Sequence, residues 1–126
     1  PGVDIDWRNQ NTFFLKTGEA KTYIGKYRGV NRIPLLKLSE MYLIAAEASG
    51  DKGYLQTLRD HRGYVNYPLE ENCDLAAEIE AEYRKEFMAE GQLFYYYKRL
   101  DYNTLPDMGV VMTGNYVFPM PDDEME

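Results

Sequence analysis

A long helix is predicted by the segment Pro34-Leu35-Leu36-Lys37-Leu38-Ser39-Glu40-Met41-Tyr42-Leu43-Ile44-Ala45-Ala46-Glu47-Ala48. The fixed φ of Pro34 suits the first turn of a helix. The polar residues Lys37, Glu40 and Glu47 lie near one line along such a helix, which leaves the rest of its circumference apolar. We therefore expect protein to surround this helix almost completely.

Further helices are predicted on the C-terminal side of this segment. The glycine-rich turn 50–53 ends the first helix, and apolar or aromatic residues then recur at helical spacing up to Gly63, a candidate C-terminal cap. Two helices joined by a short turn form an αα-hairpin, which is similar to one tetratricopeptide (TPR-like) unit. Asp74 is a candidate N-cap for a third helix, and 92–100 is predicted to be a fourth.

The remaining parts of the chain predict little regular structure. Residues 1–30 are expected to form loops and short strands, with β-prone residues at 12–15 and 22–24. Residues 110–121 are expected to form a β-hairpin with its turn at 113–115. We therefore predict a mainly α fold, in which residues 34–100 are TPR-like helical hairpins and a small C-terminal β-hairpin follows.

Composition excludes several classes of function. The net charge of -7, from 21 acidic and 14 basic residues, disfavours nucleic acid as a partner. One cysteine, Cys73, and one histidine, His61, cannot supply the four ligands of a zinc site. We accordingly expect no metal and no cofactor. No apolar run is long enough to span a bilayer, and Pro1-Gly2-Val3-Asp4 has no targeting signature.

Three carboxylates, Glu82, Glu86 and Glu90, are spaced to lie on one helix face. A glycosidase or a carboxylate-bridged metal site uses such residues, but a face that is solvated or paired with arginine is the more common result. We therefore expect no catalytic residues in this chain. A glycosidase remains an alternative, in which turnover would be lost on Glu82→Gln or Glu86→Gln.

Aromatic residues are the remaining candidates for a binding site, because a flat apolar face with a polar tip suits a sugar ring. We expect the helical tyrosines Tyr42, Tyr54 and Tyr95 to Tyr97 to pack in the core. The ligand-binding candidates are the aromatic residues placed in loops, namely Trp7, Tyr64, Tyr67 and Tyr102.

The order of the motifs resembles the C-terminal part of the RagB/SusD family. The helix at 34–48 resembles the family's hallmark helix, and 55–63 resembles its Leu-Asn-x-Val-Arg-x-Arg-x-Gly helix, with Gln56 in place of Asn. Residues 79–99 match the family's Ile…Glu-Arg…Glu-Phe…Glu-Gly-Gln…Phe…Arg pattern, and 118–121 with Glu124 resembles its closing Phe-Pro-Ile-Pro…Glu. Since Glu86, Glu90 and Arg99 belong to this pattern, we expect a charged network at the helix junction.

The resemblance implies a mainly helical, non-enzymatic lipoprotein on the outer membrane of Bacteroidetes-type bacteria. Such proteins bind glycans or other small nutrients and pass them to a SusC-like, TonB-dependent transporter. Residues 1–126 would be the C-terminal segment, with the lipid anchor outside them. The motif residues imply a scaffold and supply no binding site.

A second interpretation comes from a different class of function. A shortened relative would act as a helical protein-interaction module without a sugar site of its own. Without the N-terminal helices that the family resemblance implies, the apolar helix at 35–48 would be left partly uncovered, and this exposed patch would favour self-association of the isolated chain.

Overall fold

The computed structural model of this protein describes residues 5–9, 14–16, 22–106, 109–112, 114, 116 and 117. Two short antiparallel strands, β1 (Phe14–Lys16) and β2 (Thr22–Ile24), precede the helices α1 (Leu38–Ser49), α2 (Lys52–Arg59), α3 (Leu75–Glu86) and α4 (Gln92–Arg99). The predicted mainly helical class is confirmed. The chain divides into two compact units, Pro1–Ala89 and Glu90–Glu126.

The predicted start of α3 and the predicted end of α1 are correct, whereas α2 begins at Lys52, inside the predicted turn, with Asp51 as its N-cap. The Asp74 carboxylate accepts hydrogen bonds from the backbone N–H groups of Ala76 at 3.1 Å and Ala77 at 3.2 Å, so α3 begins where predicted. Gly50 ends α1 in the left-handed conformation, with φ of 70°. The start of α1 was predicted wrongly, because the helix begins at Leu38 and not directly after Pro34.

A turn of π-helix, Asp60–Tyr64, follows α2 and ends its regular hydrogen bonding. Gly63 lies within this turn at φ of 104°, a conformation that favours glycine. Gly63 therefore breaks the helical backbone conformation where a C-terminal cap was predicted, but the turn continues to Tyr64 and Val65 is its cap.

The core of the first unit is formed by α1, α2 and α3, with α1 packed against both of the other helices. Its buried apolar side chains recur at helical spacing in each helix. They are Leu43, Ala46, Leu55, Leu58, Ile79, Tyr83 and Phe87.

One face of α1 and the segment before it is not covered by the described part of the chain. Leu35 is 92% exposed and Leu36 is 77% exposed. Ile33, Leu38, Met41 and Ile44 are exposed beside them. We call this set the apolar face; it corrects the expectation that protein surrounds the helix on nearly every side.

The second unit is organised around α4. Tyr96 and Tyr97 are buried with Met112, whereas Tyr95 is 66% exposed, because three successive helical residues point in different directions. The expectation that all three tyrosines are core residues is therefore wrong for Tyr95. It is also wrong for Tyr54 of the first unit, which is exposed.

Half of the predicted C-terminal hairpin, residues 110–112, 114, 116 and 117, is described, and there the prediction is wrong, because Tyr116 and Val117 form a turn and a bend in place of the expected return strand. Within them, Val111 forms an isolated antiparallel bridge with Thr104. The backbone N–H of Met112 donates to the carbonyl of Asn103 at 2.8 Å. The backbone of residues 110–112 is therefore hydrogen-bonded to that of residues 103–105.

Candidate functional site

The short turn at Asp6, Trp7 and Arg8 buries two charged side chains and exposes the indole between them. The Asp6 carboxylate accepts hydrogen bonds from the Arg8 backbone N–H at 2.9 Å, from Nε at 2.9 Å and from Nη2 at 2.7 Å. Aspartate commonly bonds the backbone two residues onward and so tightens a turn. Since Asp6 and Arg8 point inward, Trp7 is left 56% exposed.

Arg8 joins this turn to helix α3. Its Nη1 lies 2.9 Å from Oε2 of Glu82 and 3.2 Å from Oε2 of Glu86. The two glutamates are one helical turn apart, so a single guanidinium reaches both. All three side chains are at most 4% exposed, which makes this a buried ionic contact.

Two more basic residues complete the ionic cluster. Arg62 holds Glu86 with both arms of its guanidinium, Nε to Oε2 at 2.9 Å and Nη2 to Oε1 at 2.8 Å. Lys85 pairs with Glu82. We call Asp6, Arg8, Arg62, Glu82, Lys85 and Glu86 the ionic cluster; its three carboxylates and three basic groups balance in charge.

The cluster lowers the pKa of two of its carboxylates, Asp6 and Glu86. Burial raises the pKa of Glu86, but the hydrogen bond and charge of Arg62 and the charge of Arg8 outweigh it, so the pKa lies below its ordinary 4.5. Burial likewise raises the pKa of Asp6, but Arg8 holds it below 3.8. A glycosidase acid needs a raised pKa, and Glu86 has the opposite shift.

The predicted face of three glutamates is thus paired with arginine at Glu82 and Glu86. The sequence pattern predicted that Glu86 would join a network with Glu90 and Arg99, but its partners Arg8 and Arg62 were not predicted. The only signal for Arg8 was the alternation of charge around an aromatic residue in Asp6-Trp7-Arg8.

Trp7 is held in place by its backbone and by Gly63. The Trp7 N–H donates to the carbonyl of Arg62 at 3.0 Å. A Cβ at Gly63 would lie 2.2 Å from the carbonyl oxygen of Ile5 and 2.9 Å from Cδ1 and Nε1 of the indole. Only glycine leaves room for this approach.

Trp7 lines a cavity of about 550 Å³ in the first unit. The aromatic part of the wall is Trp7 and Tyr27, and the charged part includes Lys26, Lys37 and Arg62. The volume lies within the range of small-molecule sites. We call this the Trp7 cavity. The basic residues of its wall carried no sequence signal, because they are far apart along the chain.

The other three aromatic candidates lie elsewhere. The hydroxyl of Tyr64 donates to Oδ2 of Asp6 at 3.2 Å, and its ring lies 5.0 Å from the Arg59 guanidinium and 5.3 Å from the Lys85 ammonium. Burial, followed by the charge of Asp6, raises the pKa of Tyr64. Tyr64 therefore supports the ionic cluster and does not line the Trp7 cavity.

Tyr67 lines a second, more polar cavity of about 680 Å³, together with Asn66, Asn72 and Cys73. Tyr102 belongs to the second unit, where its ring lies 5.1 Å from that of Tyr97. Its carbonyl accepts a hydrogen bond from the Tyr116 hydroxyl at 2.8 Å. The structure thus connects Trp7 with Tyr64 through Asp6 and leaves Tyr67 apart from them.

Across the residues that the structure describes, no group of three or more His, Cys, Asp or Glu side chains is arranged to hold a metal ion. No helix among them has the length and apolar character needed to cross a membrane.

Comparison of the chain with protein-family profiles, with curated proteins and with solved structures finds no match.

Proposed function

We propose that this chain is part of a SusD-like, non-enzymatic protein that binds a glycan or another small nutrient and passes it to a SusC-like, TonB-dependent transporter at the bacterial outer membrane. The main support for a binding role is the position of Trp7. This residue lines a cavity and is 56% exposed between two buried charged residues. An exposed indole stacks on the apolar face of a sugar ring.

Rigidity supports this role for Trp7. Asp6 and Arg8 flank it and are fastened to each other and, through Arg8, to α3. A binding residue that is already held in position loses little conformational entropy when a ligand arrives. The ionic cluster therefore acts as the support of the binding residue.

The same cluster favours binding without catalysis. Glu82 and Glu86 are occupied by Arg8, Arg62 and Lys85, and the lowered pKa of Glu86 opposes proton donation. A glycosidase needs one carboxyl group that stays protonated near neutral pH. The glycosidase alternative has no support in this geometry.

A RagB/SusD fold with TPR-like helix pairs is the architecture we propose for the whole protein. The contact between α1 and α2 across the turn at Gly50 and Asp51 supports it. The lipid anchor that we propose would lie outside these residues.

Fluorescence titration tests the binding role directly, because Trp7 is the only tryptophan. We expect a saturable change in its emission with some members of a broad glycan panel. In calorimetry with the same glycan, Trp7→Ala should abolish binding. Tyr95→Ala is the matched control, since Tyr95 is an exposed aromatic residue that does not line the Trp7 cavity.

If no glycan on the panel changes the Trp7 emission or produces heat in calorimetry, the nutrient-binding role is wrong. If Trp7→Ala and Tyr95→Ala lose binding equally, the ligand binds outside the Trp7 cavity.

The apolar face supports a second candidate function, a helical protein-interaction module. Six exposed apolar residues lie together on α1 and the segment before it, as protein-binding faces do. Leu35→Glu would then abolish capture of a partner, whereas Trp7→Ala would leave it unchanged. The nutrient-binding proposal predicts the reverse for glycans: Trp7→Ala would abolish glycan binding, whereas Leu35→Glu would leave it unchanged.

A further inference from the structure

The first unit contains a second cavity, which is bordered by the loop between the π-helical turn and α3. Its volume is about 680 Å³, within the range of small-molecule sites. We call it the Tyr67 cavity. Among the described residues, none lines both this cavity and the Trp7 cavity. The Tyr67 cavity is therefore a separate candidate site, which the proposed role of Trp7 does not use.

The ring of Tyr67 is available to a ligand. Tyr67 is 40% exposed, and its ring makes no aromatic or cation–π contact with another described residue. The neighbouring Tyr64 differs, because the guanidinium of Arg59 and the ammonium of Lys85 lie against its ring. An exposed ring that carries a hydroxyl suits the flat apolar face of a sugar.

Two amide side chains share the cavity wall with this ring. Asn66 and Asn72 are both exposed, and neither side chain forms a hydrogen bond with another described residue. Each amide offers one oxygen acceptor and two N–H donors. Sugar hydroxyl groups also donate and accept, so the two amides match their hydrogen-bonding capacity.

Arg59 adds a further donor group to the wall. Its Nη1 donates to Oε2 of Glu78 at 2.7 Å, so the charge of the guanidinium is paired. Its Nε is buried and has no hydrogen-bond partner among the described residues. Buried donors normally have a partner, so this part of the wall retains unused hydrogen-bonding capacity.

The loop that borders the cavity is held in place by α2. The backbone N–H of Leu69 donates to Oε1 of Gln56 at 2.8 Å. The ammonium of Lys52 donates to the carbonyls of Glu70 at 3.3 Å and Glu71 at 3.2 Å. A loop that is already fixed loses little conformational entropy when a ligand binds.

The charges of the wall disfavour an anionic ligand. The described residues that line the cavity include three carboxylates, Glu70, Asp74 and Glu78, and one basic residue, Arg59. The chain as a whole is also acidic, with a net charge of -7. A negative group would therefore be repelled, whereas a neutral hydroxyl group can donate to a carboxylate.

We propose that the Tyr67 cavity is a second saccharide site, which binds a neutral sugar by stacking on Tyr67 and by hydrogen bonds with Asn66 and Asn72. This inference rests on the proposed glycan-binding function and adds a second site to it. A tyrosine ring has a smaller apolar face than an indole. We therefore expect weaker binding than in the Trp7 cavity, with a dissociation constant of about 1 mM or above.

A relocated tryptophan reports on this cavity alone. In the double variant Trp7→Ala with Tyr67→Trp, the only indole lies in the Tyr67 cavity and can still stack on a sugar. We expect a saturable change in its emission with neutral oligosaccharides of galactose, mannose or glucose at about 1 to 20 mM. Trp7→Ala with Tyr54→Trp is the matched control, because Tyr54 is similarly exposed, at 42%, but lies outside the cavity. The emission of the control should not change.

Further titrations test the ligand class and the amides. Oligogalacturonate should bind the relocated-tryptophan variant at least about tenfold more weakly than a neutral galactose oligomer of the same length. Asn66→Ala and Asn72→Ala, each added to that variant, should weaken binding of the neutral sugar about threefold to tenfold, since hydrogen bonds are lost. Asn31→Ala is the control, because Asn31 is exposed outside the cavity.

Thermal unfolding verifies that each variant folds. If the relocated-tryptophan variant does not fold, calorimetry replaces fluorescence and compares Trp7→Ala with and without Tyr67→Ala at the same sugar concentrations. Loss of the weak binding in Tyr67→Ala would then support the second site, and its persistence would overturn it.

The outcomes separate the second site from the proposed function. If the native Trp7 responds to glycans and the indole at position 67 does not, the second site is wrong while the proposed function stands. If neither responds, both fail. A response at position 67 alone would support the Tyr67 cavity and overturn the role of Trp7. Tighter binding of oligogalacturonate or of a cationic glucosamine oligomer would overturn the neutral ligand class.

Discussion

The guanidinium of Arg8 lies 2.9 Å from the carboxylate of Glu82, and the two side chains are 4% and 1% exposed. A loop residue near the start of the chain is thereby joined to a helix more than seventy residues later. Water cannot replace either partner at this depth, so removal of one leaves the other as a buried uncompensated charge.

Replacement of Arg8 should therefore destabilise the first unit severely. We expect Arg8→Met to lower the free energy of unfolding by about 3 to 5 kcal/mol, because Glu82 and Glu86 lose a shared partner. Urea denaturation followed by circular dichroism measures the change. Arg28→Met is the control, since Arg28 is exposed. Equal stability of the two variants would contradict a structural role for the cluster.

Acid should weaken the same cluster. Asp6 and Glu86 both have folded-state pKa values below their ordinary values of 3.8 and 4.5. A lowered folded-state pKa gives stability that is present above the unfolded-state pKa and lost as pH falls through the folded-state pKa. We expect the loss to begin near pH 4.5 and continue below it.

Glu86→Gln tests which group carries this pH dependence. The variant should be less stable at neutral pH, and its stability should change less between about pH 6 and pH 3 than that of the unaltered protein. Urea midpoints measured across this range provide the comparison. A pH dependence that is unchanged in Glu86→Gln would assign the acid sensitivity to other carboxylates.

Gly63 should not tolerate a side chain. Gly63 has a φ of 104°, and a Cβ added to it would lie 2.2 Å from the carbonyl oxygen of Ile5. We therefore expect Gly63→Ala to lower the free energy of unfolding by about 2 kcal/mol or more and to shift the Trp7 emission. Gly50→Ala is the matched control, because Gly50 also has positive φ but open space around it. Gly50→Ala should lower the free energy of unfolding by about 1 kcal/mol and leave the Trp7 emission unchanged. Identical effects of the two substitutions would mean that the contact with Ile5 and Trp7 has no energetic weight.

The apolar face should make the isolated chain self-associate. We expect sedimentation velocity to show concentration-dependent association, which Leu35→Glu combined with Ile44→Glu should abolish, since charges on the face oppose its burial. Val65→Glu alters an exposed apolar residue outside this face and should have no effect. A monomer at every concentration would mean that the face does not drive association between copies.

Local signals were sufficient to predict that the helices exist and to place the start of α3 and the end of α1. Asp74 caps α3 because its carboxylate reaches two nearby N–H groups, and Gly50 ends α1 because glycine adopts positive φ without strain. These interactions join residues within a few positions of each other. The same is true of the apolar spacing that places Leu43, Ile79 and Tyr83 in the core.

The site, in contrast, was decided by the tertiary structure. Trp7 was a candidate from its chemistry alone, but its connection with Arg62, Glu82 and Glu86 depends on contacts between distant segments. Lys26 and Lys37 meet at one wall for the same reason. The local sequence around a charged residue does not show whether water or another charged side chain will surround it. Contacts between distant segments therefore decide which arginine is buried and which cavity is lined by basic residues.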